Sequence, residues 1–128
     1  MPVNRSYHLR DVIFGMSKTI AVVIQEDPRK THRPVEALRI ALGLVAGSHQ
    51  TTVILLSEAS RLLSHDVDDI IDVDILEKYL PSVQHLHIPF ILHVQTDPST
   101  IVPGFSVTYE SDDVIQSFLK SVDRTLIF

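Results

Sequence analysis

The 128-residue chain has no cysteine. That excludes structural disulfides, iron–sulfur ligation and any persulfide formed on the chain itself, while leaving the compartment open. Basic residues are also few: 11 Lys and Arg face 16 Asp and Glu, and the formal charge is −5. Only Arg29, Lys30, His32 and Arg33 cluster. Nucleic-acid affinity rests on clustered cations that displace counterions, so no nucleic-acid partner is expected. No glycine-rich phosphate loop is present. No apolar run approaches the ~18 residues of a membrane span. Residues 1–17 carry Arg5, Arg10 and Asp11 between short apolar groups and lack the continuous run of a secretory signal. A cytoplasmic protein with no membrane contact is the expectation. Internal repeats, low-complexity tracts and linkers are absent as well.

What the chain does have is the balance of a globular domain, 45% apolar and 21% charged residues, too apolar for intrinsic disorder. Its clearest stretch runs from Lys18 to Ser57. KTIAVVIQ reads as a strand buried on both faces, the pattern of a parallel sheet covered by helices. A polar loop, EDPRKTHR, follows. Pro34 then sets φ for a first helical turn, Leu38, Ala41, Leu42 and Val45 recur at helical spacing, and Glu36 and Arg39 face outward. Gly47 closes this helix. TTVILLSE is a second strand, joined in parallel to the first by the crossover helix.

Beyond it, SHDVDDIIDVDILEKYLP over Ser64 to Pro81 reads as a helix with Ile71, Ile75 and Tyr79 on one stripe and acids near its start. Pro89 to about Gln95 forms a third strand, stopped by Asp97, Pro98 and Ser99. A fourth strand is expected over Phe105 to Tyr109. Ser111, Asp112 and Asp113 begin a helix whose stripe is Val114, Phe118 and Val122, and Thr125 to Phe128 closes the chain as a strand. Five strands and three helices predict an α/β fold, a three-layer α/β/α sandwich with a mainly parallel five-stranded sheet. Residues 1–17 read as an N-terminal extension to a domain spanning 18–128, either packing at an interface or forming a tail.

Three places carry a family resemblance: the first strand and loop leading into EALRIALGL, the third strand ending in HVQTDP, and the close SDDVIQSFLKSVDRTLIF. Together they resemble the DsrE/DsrF-like sulfur-relay family over Lys18 to Phe128. The resemblance implies assembly, as a trimer or hexamer of this chain or a hetero-oligomer with related subunits, and a possible sulfur-carrier protein as partner. It also implies a persulfide-bearing cysteine near the end of the third strand. Here that neighbourhood is Val94, Gln95, Thr96 and Asp97. Sulfur carriage needs a polarizable thiolate that attacks and is attacked in turn, which a hydroxyl or amide cannot replace. What carries over is a non-catalytic, cysteine-less subunit that supports sulfur transfer by a thiol-bearing partner.

Open parallel sheets bind ligands beyond the carboxyl ends of their strands. That geometry predicts a crevice at Gln25, Glu26 and Asp27, Ser57 and Glu58, and Gln95, Thr96 and Asp97, with His32 and Arg33 at the adjacent helix entrance. The alternative function is therefore a small-molecule or anion-binding protein using Gln25, Asp27, His32, Arg33, Gln95, Thr96 and Asp97. Strand-end loops are also polar simply because they face water. His85, His87 and His93 alternate along an extended segment, but their spacing matches no closed zinc site. Asp66, Asp68, Asp69, Asp72 and Asp74 lack the ligand at Ile70 and the glycine of a calcium loop. Neither a metal nor a cofactor is expected. Ser57 lacks the flanking glycines of a nucleophile elbow, and although His32, Ser57 and Asp97 could converge, catalysis is not expected.

Overall fold

The computed structural model describes residues 17–128, so the extension expected over 1–17 lies, apart from Ser17, outside the described residues. β1 (Thr19–Ile24) leads to α1 (Arg33–Ala46) and β2 (Gln50–Leu55). A 3-10 helix (Ser57–Leu63), α2 (Val73–His85) and β3 (Pro89–His93) follow. A 3-10 turn (Pro98–Thr100), β4 (Ser106–Glu110), α3 (Asp112–Ser121) and β5 (Arg124–Ile127) complete the domain. The strands form one five-stranded sheet in the order β4-β3-β2-β1-β5. Every pairing is parallel, so the α/β architecture expected from the apolar runs is present.

The strand order decides where the helices lie. From β1 to β4 each strand is added on the same side of its predecessor, and right-handed crossovers then put their connections on one face. The step from β4 to β5 returns across the sheet, which puts α3 on the other face. Side chains along β1 record the division. Ile20, Val22 and Ile24 join the main core with Val53, Leu55, Phe90 and Leu92 from the sheet, Leu38 and Ala41 from α1, and Leu76 and Val83 from α2. Ala21 and Val23 instead meet Ile54 and Ile115 in a smaller cluster, flanked by Phe118, Leu119 and Val122. Among the described residues the three layers are therefore unequal: α1, α2 and the 3-10 helix cover one face, and α3 covers the other.

Local chemistry explains most element ends. Pro34 lies in the first turn of α1, where its missing N–H costs no helical bond. Gly47 ends that helix at φ −82°, and the left-handed residue is Ser48, at φ 69°. Ser111 caps α3, its hydroxyl accepting from Val114 N at 3.4 Å, and Asp112 and Asp113 occupy the positive first turn. Pro81 sits inside α2 rather than ending it, on the exposed side of the helix. Water can satisfy the carbonyl of Glu77 there, since both residues face solvent.

Two apolar stripes differ from expectation in the same way. Ile71 precedes α2, and Ile71 and Ile75 are exposed, whereas Leu76 and Val83 are buried. In α3 Val114 is exposed and Ile115 buried. An i, i+4, i+8 line advances about 40° per step around a helix of 3.6 residues per turn, so it winds off the core; an i, i+7 line drifts back by only about 20°. The acids Asp66, Asp68 and Asp69 lie in the loop before α2, not on a helix front, and Asp72 precedes its first residue in the left-handed region, at φ 64°. Strand ends shift slightly: β3 stops at His93 instead of Gln95.

Candidate functional site

A cavity of about 590 Å³ opens at the carboxyl ends of β2 and β3. Leu56 and His93 lie where these strands end. The 3-10 helix supplies Ser57, Glu58, Ser60 and Arg61, with Ser64 just after it. The β3–β4 connection supplies Gln95, Thr96, Asp97 and Thr100, and α3 contributes Asp112. Ile101 anchors that connection in the main core and bridges Ser64, while Val102 N donates to Leu63 O at 2.8 Å. The 3-10 helix and the loop after β3 thus form one wall on the α1 side of the sheet. Asp112 comes from the opposite face.

Hydrogen bonds hold the lining in place. His93 Nδ1 accepts from Gln95 N at 3.1 Å, so the ring proton sits on Nε2, which meets Asp112 Oδ1 at 3.1 Å. Asp97 Oδ1 accepts from Ser99 N at 2.9 Å and from the Ser99 hydroxyl at 2.8 Å. These bonds, the backbone one first, hold the Asp97 carboxyl below its ordinary range. Ser57 has φ 52°, a left-handed conformation that costs a non-glycine residue ~1 kcal/mol or more.

The structure divides the expected crevice in two. Gln95, Thr96 and Asp97 line the cavity together with Ser57 and Glu58. Gln25, Asp27, His32 and Arg33 are not in its lining. Gln25 N donates to Phe128 O at 2.8 Å, holding the chain after β1 against β5. Arg33 Nε pairs with Glu26 at 3.0 Å, and its guanidinium stacks 5.4 Å from the Phe128 ring centroid. His32 is exposed at the start of α1 and makes no side-chain cap.

Asp27 reaches the cavity only indirectly. Its carboxylate accepts from Arg29 N, Nε and Nη2 at 2.9, 3.1 and 2.8 Å. The Arg29 side-chain bonds, and then its backbone N–H, lower the Asp27 pKa to about 2. Arg29 Nη2 also meets Glu58 Oε1 at 3.1 Å, and that same oxygen accepts from Arg61 Nε at 2.7 Å. A run of alternating charges, Asp27–Arg29–Glu58–Arg61, therefore links the loop after β1 to the cavity.

His32, Ser57 and Asp97 do not converge at the cavity, because His32 stands outside it. Ser57, His93 and Asp112 line it instead. Both nitrogens of His93 are engaged by Gln95 and Asp112, which leaves no imidazole lone pair to take a proton from Ser57. His85 and His87, at the end of α2, are not cavity residues, and no cluster of three metal-ligating side chains occurs among the described residues.

Sequence reasoning missed Ser60, Arg61, Ser64, Thr100 and the cavity role of Asp112. The first three ride on or beside the 3-10 helix, whose short i+3 pattern has no distinct apolar period. Asp112 announces only a helix start. Its cavity position depends on the β4–β5 crossover, which local spacing does not reveal.

The class defined by this geometry is an all-parallel α/β domain with strand order β4-β3-β2-β1-β5 and a polar cavity at its strand ends. The chain matches no protein-family model and no curated protein by sequence. Among solved structures it is similar to the ychN protein from E. coli, a protein of DsrE/DsrF-like fold. The TM-score is 0.66 over 88% of this chain and 100% of that one, at 17% sequence identity. At that identity the likeness establishes a relation of fold and not membership of a family.

Proposed function

We propose that this chain is a non-catalytic subunit of DsrE/DsrF-like type, which assembles with copies of itself or with related subunits and supports sulfur transfer by a thiol-bearing partner. The observation that carries the reading is the end of β3. A polar cavity opens there, yet its lining at that point, His93, Gln95, Thr96 and Asp97, holds no thiol, and His93 accepts a hydrogen bond from Gln95 N and lies 3.1 Å from Asp112 Oδ1. Association is supported by the sheet. All-parallel sheets occur almost only with both faces covered, whereas among the described residues one face has a single helix, all four residues of β5 are exposed, and Ile127 is 58% accessible. Size-exclusion chromatography with light scattering at micromolar concentration tests it. An oligomer supports the reading, and a strict monomer with no associating relative contradicts it.

A second reading is favoured by the cavity itself: a binding protein for a small polar molecule. About 590 Å³ lies within the range of small-molecule sites. Its charges bear on the kind of ligand, because the described lining holds the carboxylates of Glu58, Asp97 and Asp112 and one guanidinium, that of Arg61. A bare anion meets more carboxylates than cations there. Thermal-shift screening checks this reading, and a flat melting temperature across neutral, cationic, anionic and zwitterionic compounds removes it.

A further inference from the structure

Resting on the small-molecule reading, we infer that the strand-end cavity binds a small zwitterion of about dipeptide size, with the ligand carboxylate on Arg61 and its ammonium group on Asp112 across the strand ends. Arg61 is the open end of the alternating charge run. Its Nε is committed to Glu58 Oε1 at 2.7 Å, while its two terminal nitrogens have no hydrogen-bond partner among the described residues. A guanidinium with a free pair of donors suits a carboxylate, and Glu58 is already neutralised from its other side by Arg29. A ligand carboxylate would extend the alternation by one more negative charge.

The ammonium half is placed by Asp112, since Asp97 lies on the wall that carries Arg61. The Asp112 side chain is 86% exposed and touches His93 through Oδ1, which leaves Oδ2 open. Arg61 stands on the α1 side of the sheet and Asp112 on the α3 side, so the cavity presents opposite charges across the strand ends. A molecule carrying both charges matches both, whereas a dianion or a simple polyamine matches one and is repelled by the other. The hydroxyls of Ser57, Ser60, Ser64, Thr96 and Thr100 complete a lining suited to amide and carbonyl groups. The open cavity of about 590 Å³ has room for a molecule of dipeptide size.

The test uses the full chain and a set of free dipeptides with small, polar, acidic and basic side chains. Each is paired with its N-acetyl form, which keeps only the carboxylate, and its C-terminal amide, which keeps only the ammonium. The expected result is a saturable rise in Tm of roughly 5 °C for at least one free dipeptide, reduced several-fold for both blocked forms. Arg61→Gln should abolish the preference for a free carboxylate, and Asp112→Asn should weaken the preference for a free amine. Amide chemical shifts of Gln95 and Thr96 in the wild-type chain give a readout independent of variant folding. Equal or stronger binding of either blocked form overturns the zwitterion assignment while keeping the binding reading. Silence of every compound, by melting and by NMR, overturns both.

Discussion

Asp27 shows how much a single carboxylate can do without touching a ligand. Its side chain is 13% exposed and accepts three hydrogen bonds from Arg29. Asp27→Asn is expected to cost about 1–2 kcal/mol of stability, the scale of losing charge-assisted hydrogen bonds, and to loosen Arg61 through Glu58. The sign with pH follows from depressed carboxyl pKa values. Asp27, Asp97 and Asp123 are all lowered in the folded chain, Asp123 by the backbone N–H and hydroxyl of Thr19. Their contribution is fully present above the unfolded carboxylate value near ~4 and is lost as pH falls through the folded values, about 2 for Asp27. Denaturant unfolding at a series of pH values should show stability falling below about pH 4, less steeply in Asp27→Asn. Identical acid slopes contradict the role given to Asp27.

Ser57 offers a second test at this scale, because its φ of 52° is relaxed by glycine. Ser57→Gly should leave stability unchanged or raise it by up to ~1 kcal/mol, and a loss larger than that in thermal unfolding contradicts the strain. Neither role was legible in the sequence. Asp27 and Ser57 stood out as polar residues at strand ends, which is correct for both. Whether such a residue faces a cavity or an ion-pair chain depends on neighbours 29 or more positions away, as the Arg29–Glu58 contact illustrates.

Among the elements, the strands were legible for a simple reason: β1 and β2 are buried on both faces, so their apolar runs are nearly unbroken. The first and last helices were legible in position, whereas α2 starts at Val73, well after the expected Ser64, and facing was legible only in part. Leu38 and Ala41 are buried in α1 as their spacing implies, and Tyr79, Phe118 and Val122 pack against the cores as expected, yet Ile115 is buried in place of Val114 and Leu76 in place of Ile75. Paired substitutions measure that offset. Ile115→Ala and Leu76→Ala should each cost about 2–4 kcal/mol, with Val114→Ala and Ile75→Ala each near 0.5 kcal/mol or less, roughly the separation between core and surface positions. Equal costs within each pair, read from chemical denaturation, contradict the register. The 3-10 helix was the element with least signal, and it supplies four of the cavity residues, Ser57, Glu58, Ser60 and Arg61. A third of the cavity's twelve lining residues therefore depends on the element hardest to read.

For the whole molecule, the return of β5 to the far side of β1 has three consequences. Among the described residues it places α3 alone on one face, brings Asp112 to the ends of β2 and β3, and leaves β5 as an edge strand with Leu126 and Ile127 exposed. Edge strands with exposed apolar side chains are ready to pair. If β5 takes part in assembly, Ile127→Lys should shift the protein toward smaller species while leaving circular dichroism unchanged, because Ile127 contributes little to the core. An unchanged assembly places the interface elsewhere. The central claim is that a domain of this fold, lacking any thiol, acts by association and binding rather than by carrying sulfur. Native mass spectrometry of the protein recovered from its own cells tests it most directly. The account predicts a defined oligomer of this chain or a complex with a cysteine-bearing subunit, its own mass free of added sulfur; a monomer without partners contradicts it.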